Sequence, residues 1–206
     1  MHVRPDERYW DSFLSNCAQF LADEGIVPYW RVQQDAECLW DEPHFHYTPI
    51  PPSATALSGY FQCSRYFAAV APHIRALFRP ADTVHAAMLH RHAALLRPHI
   101  AAIHVRRGDY VQLPMHGILD VPWYLRAARV LLDEAPHIES FAVFSDDPGW
   151  CQTNLAALAE LRPLKVVAEP DAAVALHLLS QFEFYVLSNS TFSWWGAWLG
   201  HPAAMV

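Results

Sequence analysis

The chain contains no run of ~18 or more apolar residues, the length a membrane-spanning helix needs, so no segment is read as crossing a bilayer. Its start, Met1-His2-Val3-Arg4-Pro5-Asp6-Glu7, is polar and lacks the apolar core of a secretion signal. Cysteine is scarce: Cys17, Cys38, Cys63 and Cys151 form no CxxC pair, which argues against a zinc ribbon or a dithiol redox motif. They are expected to be reduced, mostly buried thiols of a cytoplasmic protein, or of one held peripherally at the inner face of a membrane. Basic charge is also lacking. A formal net charge of −7 excludes the broad cationic face of a nucleic-acid binder and confines any anion site to local features such as the adjacent Arg106 and Arg107. The histidines are numerous, but His44-x-His46 and His90-x-His92 have no third ligand at suitable spacing, so they read as surface or loop residues and no metal site is expected. Hydrophobic residues at 53% and charged residues at 17% describe a folded chain, and 206 residues suit one domain or two small ones.

Periodicity divides the chain near residue 97. Before it, apolar spacing predicts an amphipathic helix from Glu7 to Ala22, a loop rich in His, Pro and aromatics that ends at Pro51-Pro52 and has room for one short strand, a strand at Leu57–Gln62, and helices at Ser64–Leu77 and Ala81–Leu96. After it, short apolar runs alternate with helical patterns. Strands are expected at Ile100–Val105, Phe141–Phe144, Leu164–Val167 and Phe184–Leu187, with a fifth at Ala203–Val206. Helices are expected at Pro122–Asp133, Trp150–Leu161 and Asp171–Gln181, and after Thr191. This is an α/β pattern: a Rossmann-like parallel sheet at 98–206 behind a mainly helical part at 1–97. Ligands of such sheets sit beyond the carboxyl ends of the strands, which singles out His104–Tyr110, Ser145–Asp147 and Ser188–Thr191.

On an extended strand His104 and Arg106 point to one side and Arg107 to the other. An arginine at a strand end can fork two N–H groups onto a phosphate and offset the charge that a departing diphosphate acquires. Asp109 is placed either to orient an arginine or to act as a base; the plainer alternative is a turn carrying a surface ion pair. Ser188-Asn189-Ser190-Thr191 opens a helix and would offer hydroxyls and N–H groups to an anion, or serve as an ordinary cap. Asp146 and Asp147 could work as paired carboxylates in metal or acid–base chemistry, or the Asp before Pro148 could simply cap the next helix. Trp194, Trp195 and Trp198 read as core, since the first and last lie one helical turn apart.

Together these segments resemble the bacterial α-1,2-fucosyltransferases of glycosyltransferase family eleven. The family's histidine-x-arginine-arginine-x-aspartate motif is matched by His104, Arg106, Arg107 and Asp109. Its serine-aspartate-aspartate turn with a following tryptophan is matched by Ser145, Asp146, Asp147 and Trp150. Its asparagine-serine-serine/threonine-phenylalanine-serine-tryptophan-tryptophan block is matched by Asn189 to Trp195 and on to Trp198. Gly59-Tyr60-Phe61-Gln62 with Tyr66-Phe67 is a fourth likeness, and all four occur in the family's order between about residues 57 and 200.

The resemblance implies the donor-binding half of a GT-B-type enzyme, with residues 1–97 as the remnant of an acceptor-side domain. It implies inverting transfer of L-fucose from GDP-fucose to the 2-hydroxyl of a galactose-type acceptor in bacterial surface glycan synthesis, with no required cofactor or metal. By the same likeness His104, Arg106, Asn189, Ser190 and Thr191 bind the donor, His104 near guanine and Arg106 on the β-phosphate, while Asp109 and Arg107 are the catalytic candidates. The family's glycine-rich donor loop has no counterpart here, and its members continue past the tryptophan helix. Ala175 stands where an aspartate is usual, the nearest acid being Asp171. The competing expectation is therefore a truncated or non-catalytic relative that binds a nucleotide weakly or serves as a structural or partner domain.

Overall fold

The computed structural model describes Asn16 and residues 39–43, 46–54, 56–61, 63–202 and 204–206. The helix expected at Glu7–Ala22 lies outside the described residues, Asn16 apart. The chain forms two compact units, divided between Arg79 and Pro80.

In the unit spanning residues 14–79, two short strands pair in parallel, β1 (Leu39–Asp41) and β2 (Ala56–Ser58). Glu42 closes the end of this pair, its Oε2 accepting from the backbone N–H groups of Tyr60 (3.0 Å) and Phe61 (2.9 Å). The strand expected at Leu57–Gln62 is thus shorter than expected, turning at Gly59, where a Cβ would sit 2.5 Å from Glu42 Cβ. The helix expected at Ser64–Leu77 is also broken. Single 3-10 turns at Ser64–Tyr66 and Ala68–Val70 precede α1 (Ala71–Leu77), because Phe67 and Val70 leave helical geometry. Pro72 explains the restart: it fits the first turn of α1 but would break the middle of a longer helix.

The second unit carries α2 (Asp82–His92), β3 (Ile100–Val105), α3 (Val121–Glu134), β4 (Ser140–Ser145), α4 (Pro148–Asn154), α5 (Ala156–Ala159), β5 (Leu164–Val167), α6 (Ala172–Leu179), β6 (Phe184–Val186) and α7 (Thr191–Leu199). Its four strands make one parallel sheet in the order β5-β4-β3-β6. Strand alternation separates two cores. Ala101, Ile103 and Val105 pack with Tyr124, Ala128 and Leu131 of α3 and with Cys151, Leu155 and Leu158. Ala102 packs on the other face with Val84 and Met88 of α2, Val174 and Leu178 of α6, and Ala197 of α7. Burial on both faces is why these strands read as unbroken apolar runs.

The helix expected at Trp150–Leu161 is two pieces, α4 and α5, separated at Leu155. Thr153 Oγ1 and Asn154 Nδ2 donate to the carbonyls of Gly149 and Trp150, competing with helical bonds, while Leu155 turns inward and is buried. Of the fifth strand expected at Ala203–Val206, the described residues form none. The chain turns after α7 and makes a single bridge, Tyr185 N donating to Met205 O and Met205 N to Glu183 O, both at 2.9 Å.

The strand order contains a switch point between β3 and β6. The chain builds outward from β3 through β4 to β5, then crosses back to place β6 on the other side of β3. In open α/β sheets the crevice beyond the carboxyl ends of two such strands is the binding position. Among the described residues, no helix is long and apolar enough to cross a membrane.

Candidate functional site

The carboxyl end of β3 carries Arg106-Arg107-Gly108-Asp109-Tyr110, and the end of β6 carries Leu187-Ser188-Asn189-Ser190. Two contacts join these walls. His104 Nδ1 and Ser188 Oγ share a hydrogen bond of 2.8 Å, and the Tyr110 hydroxyl donates to Asn189 O at 3.3 Å. Ser190 is the N-cap of α7, its Oγ accepting from Phe192 N at 3.3 Å. Ser193 Oγ donates to the carbonyls of Ser188 (3.1 Å) and Ser190 (2.9 Å), fixing the turn that presents the helix start. Thr191 is exposed at the first position of α7.

The arginine segment is held by carboxylates. Arg106 Nη2 donates to Asp109 Oδ1 at 2.6 Å and Nη1 to Asp146 Oδ2 at 2.8 Å, and its guanidinium carbon lies 5.3 Å from the centre of the Tyr110 ring. Asp146 Oδ1 accepts from Arg107 N at 2.9 Å. Arg107 itself turns to the α4 side, 3.9 Å over the Trp150 ring with Nε donating to Asp147 Oδ2 at 3.3 Å. The other oxygen of Asp147 caps α4 at Trp150 N. Of the two expected catalytic residues, Asp109 therefore lies on Arg106, while Arg107 is engaged by α4. Asn189 also works locally, its side-chain amide donating to the carbonyls of His116 and Gly117 and so pinning the 108–120 loop. His116 stacks on Tyr110 with ring centres 4.6 Å apart.

The sequence offered Asp146 and Asp147 as paired carboxylates for metal or acid–base work, or the Asp before Pro148 as a cap; Asp147 is that cap. The register Val105↔Ser145 sets position 146 beside 106, a neighbour relation that no local pattern reveals. Gly108 belongs to the same arrangement, since a Cβ there would collide with the Asp146 carboxylate. Gly108→Ala is expected to push Asp146 off Arg106 and to weaken, at least about tenfold, the GDP binding that the family resemblance implies, while the melting temperature stays within a few degrees. Calorimetric titration with GDP checks this, and unchanged affinity would contradict it.

Burial pushes the His104 imidazole down to about 4; the Arg106 charge adds to that and Asp146 partly opposes it. His104 is thus neutral at pH 7 and able to share one proton with Ser188. His177 of α6, 2.9 Å from His85 of α2, is likewise lowered to about 4 by burial and by His85. For both, the unfolded chain takes up the proton first as pH falls. Their contribution to stability is complete above the unfolded value of 6.5 and is lost on descent toward about 4. Between those limits buried His104 costs up to about 1.4 kcal/mol per pH unit, and the less buried His177 costs less. Urea unfolding at pH 7 and pH 5 should show this loss, and His104→Gln should reduce it; an unaltered pH slope in that variant would refute the assignment.

The Asp171 carboxylate accepts from the N–H groups of Ala173 (2.9 Å) and Val174 (3.3 Å) as the cap of α6, and Ala175 is half-buried on that helix. Among the described residues, no three His, Cys, Asp or Glu side chains are placed to hold a metal ion.

The model of the family described as glycosyl transferase family 11 matches residues 32–204. The chain belongs to this family. It is 30% identical over 146 residues to an alpha-1,2-colitosyltransferase of Escherichia coli, covering 68% of this chain and 50% of that protein. It is 33% identical over 102 residues to the O-antigen biosynthesis glycosyltransferase WbnK of Escherichia coli, covering 48% and 33%. It is 28% identical over 173 residues to the galactoside 2-alpha-L-fucosyltransferase SEC1 of Bos taurus, covering 78% and 45%. The chain spans half or less of the length of these relatives. In fold, the family 11 chain is similar to the crystal structure of POFUT1 in complex with GDP, with a TM-score of 0.50 at 15% identity over 71% of this chain and 51% of that one. The Rossmann-like, GT-B-type architecture read from the sequence is therefore the one observed.

Proposed function

We propose that the β3–β6 crevice binds the diphosphate of GDP-fucose, and that the chain forms the donor-binding half of an inverting α-1,2-fucosyltransferase of bacterial surface glycans. The observation that carries this reading is the placement of Arg106 and the Ser190 helix start on the two strands that flank the sheet's switch point. The guanidinium supplies a forked cation, and the helix start supplies N–H groups with partial positive charge. The names of the relatives, colitosyl- and fucosyltransferases, agree with a deoxyhexose donor, and the POFUT1 crystal structure of similar fold is a complex with GDP.

In this reading Arg106 grips the β-phosphate, Ser190 and Thr191 hold phosphate from the α7 start, and Asn189 keeps the 108–120 loop in place beside them. Neutral His104 stands near the guanine end. The acceptor's 2-hydroxyl oxygen attacks the sugar's anomeric carbon on the face opposite the diphosphate. The bond from that carbon to the β-phosphate oxygen breaks, its electron pair leaves with GDP, and the hydroxyl proton passes to Asp109. Arg107, fixed on Trp150 and Asp147, adds positive potential behind the leaving group. Residues 1–97 would contribute on the acceptor side, and the work would be done in the cytoplasm or at the inner face of the membrane. No step calls for a metal ion.

One observation favours the second reading, a relative that binds nucleotide weakly without turnover. With Ala175 in the helix and Asp171 Oδ1 engaged as its cap, α6 itself carries no carboxylate to offer a guanine. Incubation with GDP-fucose and a β-galactoside, with NMR of the product's anomeric proton, separates the two. An α-1,2-linked product of inverted configuration supports transfer; GDP binding without product supports the second reading.

A further inference from the structure

Arg106 is held firmly, yet one edge of its guanidinium is incomplete. Nη1 and Nη2 are taken by Asp146 and Asp109. Nε shares with Nη2 the edge that an oxyanion grips with two prongs, and it is buried without a hydrogen-bond partner. A buried donor with no acceptor is costly, and structures retain one where a ligand or a mechanism completes it.

The two carboxylates on Arg106 are not equivalent. Asp146 is anchored: its second oxygen accepts from Arg107 N, and its side chain is 27% exposed and seated against Gly108. Asp109 reaches Arg106 from three residues along the same short turn, through one oxygen, and its side chain is 56% exposed. It is the partner that can leave.

We propose that Asp109 is a displaceable placeholder on Arg106, and that donor binding releases it as the base. This rests on the diphosphate reading of the crevice. Two phosphate oxygens take the Nε–Nη2 edge, replacing one bond by two and satisfying the buried Nε. Asp109 then loses its cationic partner, and its carboxylate is left without a bond from the guanidinium. Before the donor arrives the carboxylate is neutralised by Arg106; afterwards it is free to take the acceptor hydroxyl's proton. The arrangement makes the base available only when there is a sugar to transfer, and it orders binding with donor before acceptor.

The test is calorimetric titration of GDP into the wild type, Asp109→Asn, Asp109→Ala and Arg106→Ala, with thermal melts in the absence of GDP to confirm folding. A placeholder competes with phosphate. Asp109→Asn and Asp109→Ala should therefore bind GDP more tightly than the wild type, by about threefold on the scale of a partly exposed ion pair. GDP-fucose turnover by the same two variants should fall, so that donor affinity and kcat move in opposite senses. Weaker GDP binding by folded Asp109→Asn would show that Asp109 aligns Arg106 for phosphate, and would overturn the proposal while leaving the diphosphate site intact. Wild-type affinity in Arg106→Ala, or no GDP binding by any of the four proteins, would remove the diphosphate reading and the proposal with it.

Discussion

Arg106→Ala is expected to abolish the thermal stabilisation that GDP confers on the wild type. At a GDP concentration ten times the dissociation constant, binding adds about 1.4 kcal/mol, which for a chain of this size raises the melting temperature by about 4 °C. The variant should show no shift at the same concentration. Its ligand-free melting temperature should change little, because Arg106 forms partly exposed ion pairs at a strand end and contributes no apolar core. Arg106→Lys should not rescue, since an ammonium cannot fork onto two phosphate oxygens. A GDP shift in Arg106→Ala equal to that of the wild type would place the diphosphate elsewhere.

Glu169→Ala is expected to give the largest loss of stability. The Glu169 side chain is 2% exposed and joins the last turn of α2 to the connection between β5 and α6. Its Oε1 accepts from Arg91 Nη1 at 2.8 Å and from Asp171 N at 3.0 Å, while Oε2 lies 2.7 Å from His92 Nε2. Burial by itself would raise the carboxyl's pKa, but the bonds from His92, the Asp171 backbone and Arg91 outweigh it, and the pKa lies below the ordinary 4.5. The stabilisation is therefore present above the usual carboxylate range and lost as pH falls through the lowered value. Removing the carboxylate leaves a half-buried histidine and a backbone N–H without their acceptor. The expected cost is about 3 kcal/mol, or about 9 °C in melting temperature. Glu169→Gln, which keeps the shape and loses the charge, should fall between. A Glu169→Ala protein that melts within about 1 °C of the wild type would show the cluster to be ornamental.

The sheet was readable because its strands are buried on both faces. Ile100–Val105 and Leu164–Val167 form at the expected limits, and Phe141–Phe144 and Phe184–Leu187 within one residue at either end. The helix start at Ser190 was readable for a local reason, a capping hydroxyl in front of an apolar run. What sequence could not show is adjacency. Asp146 meets Arg106 only because β4 lies beside β3 in the register Val105↔Ser145, and 39 residues separate Arg107 from the Asp146 side chain it donates to. The double role of the Asp146-Asp147 pair, one on the arginines and one on α4, follows from that register. Periodicity also failed where side chains compete with backbone or where proline intervenes. Asn154 and Thr153 end α4 early, and Pro72 begins α1 afresh. Asn189 was read as a donor ligand from its place in a motif, whereas its side-chain amide is bonded to the 108–120 loop.

A diphosphate held between β3 and β6 by Arg106 is detectable by phosphorus NMR of GDP titrated with the protein. The β-phosphorus resonance should shift and broaden more than the α-phosphorus resonance with the wild type, and both should stay at their free positions with Arg106→Ala. Equal perturbation by the two proteins, or none by the wild type at millimolar concentration, would contradict it.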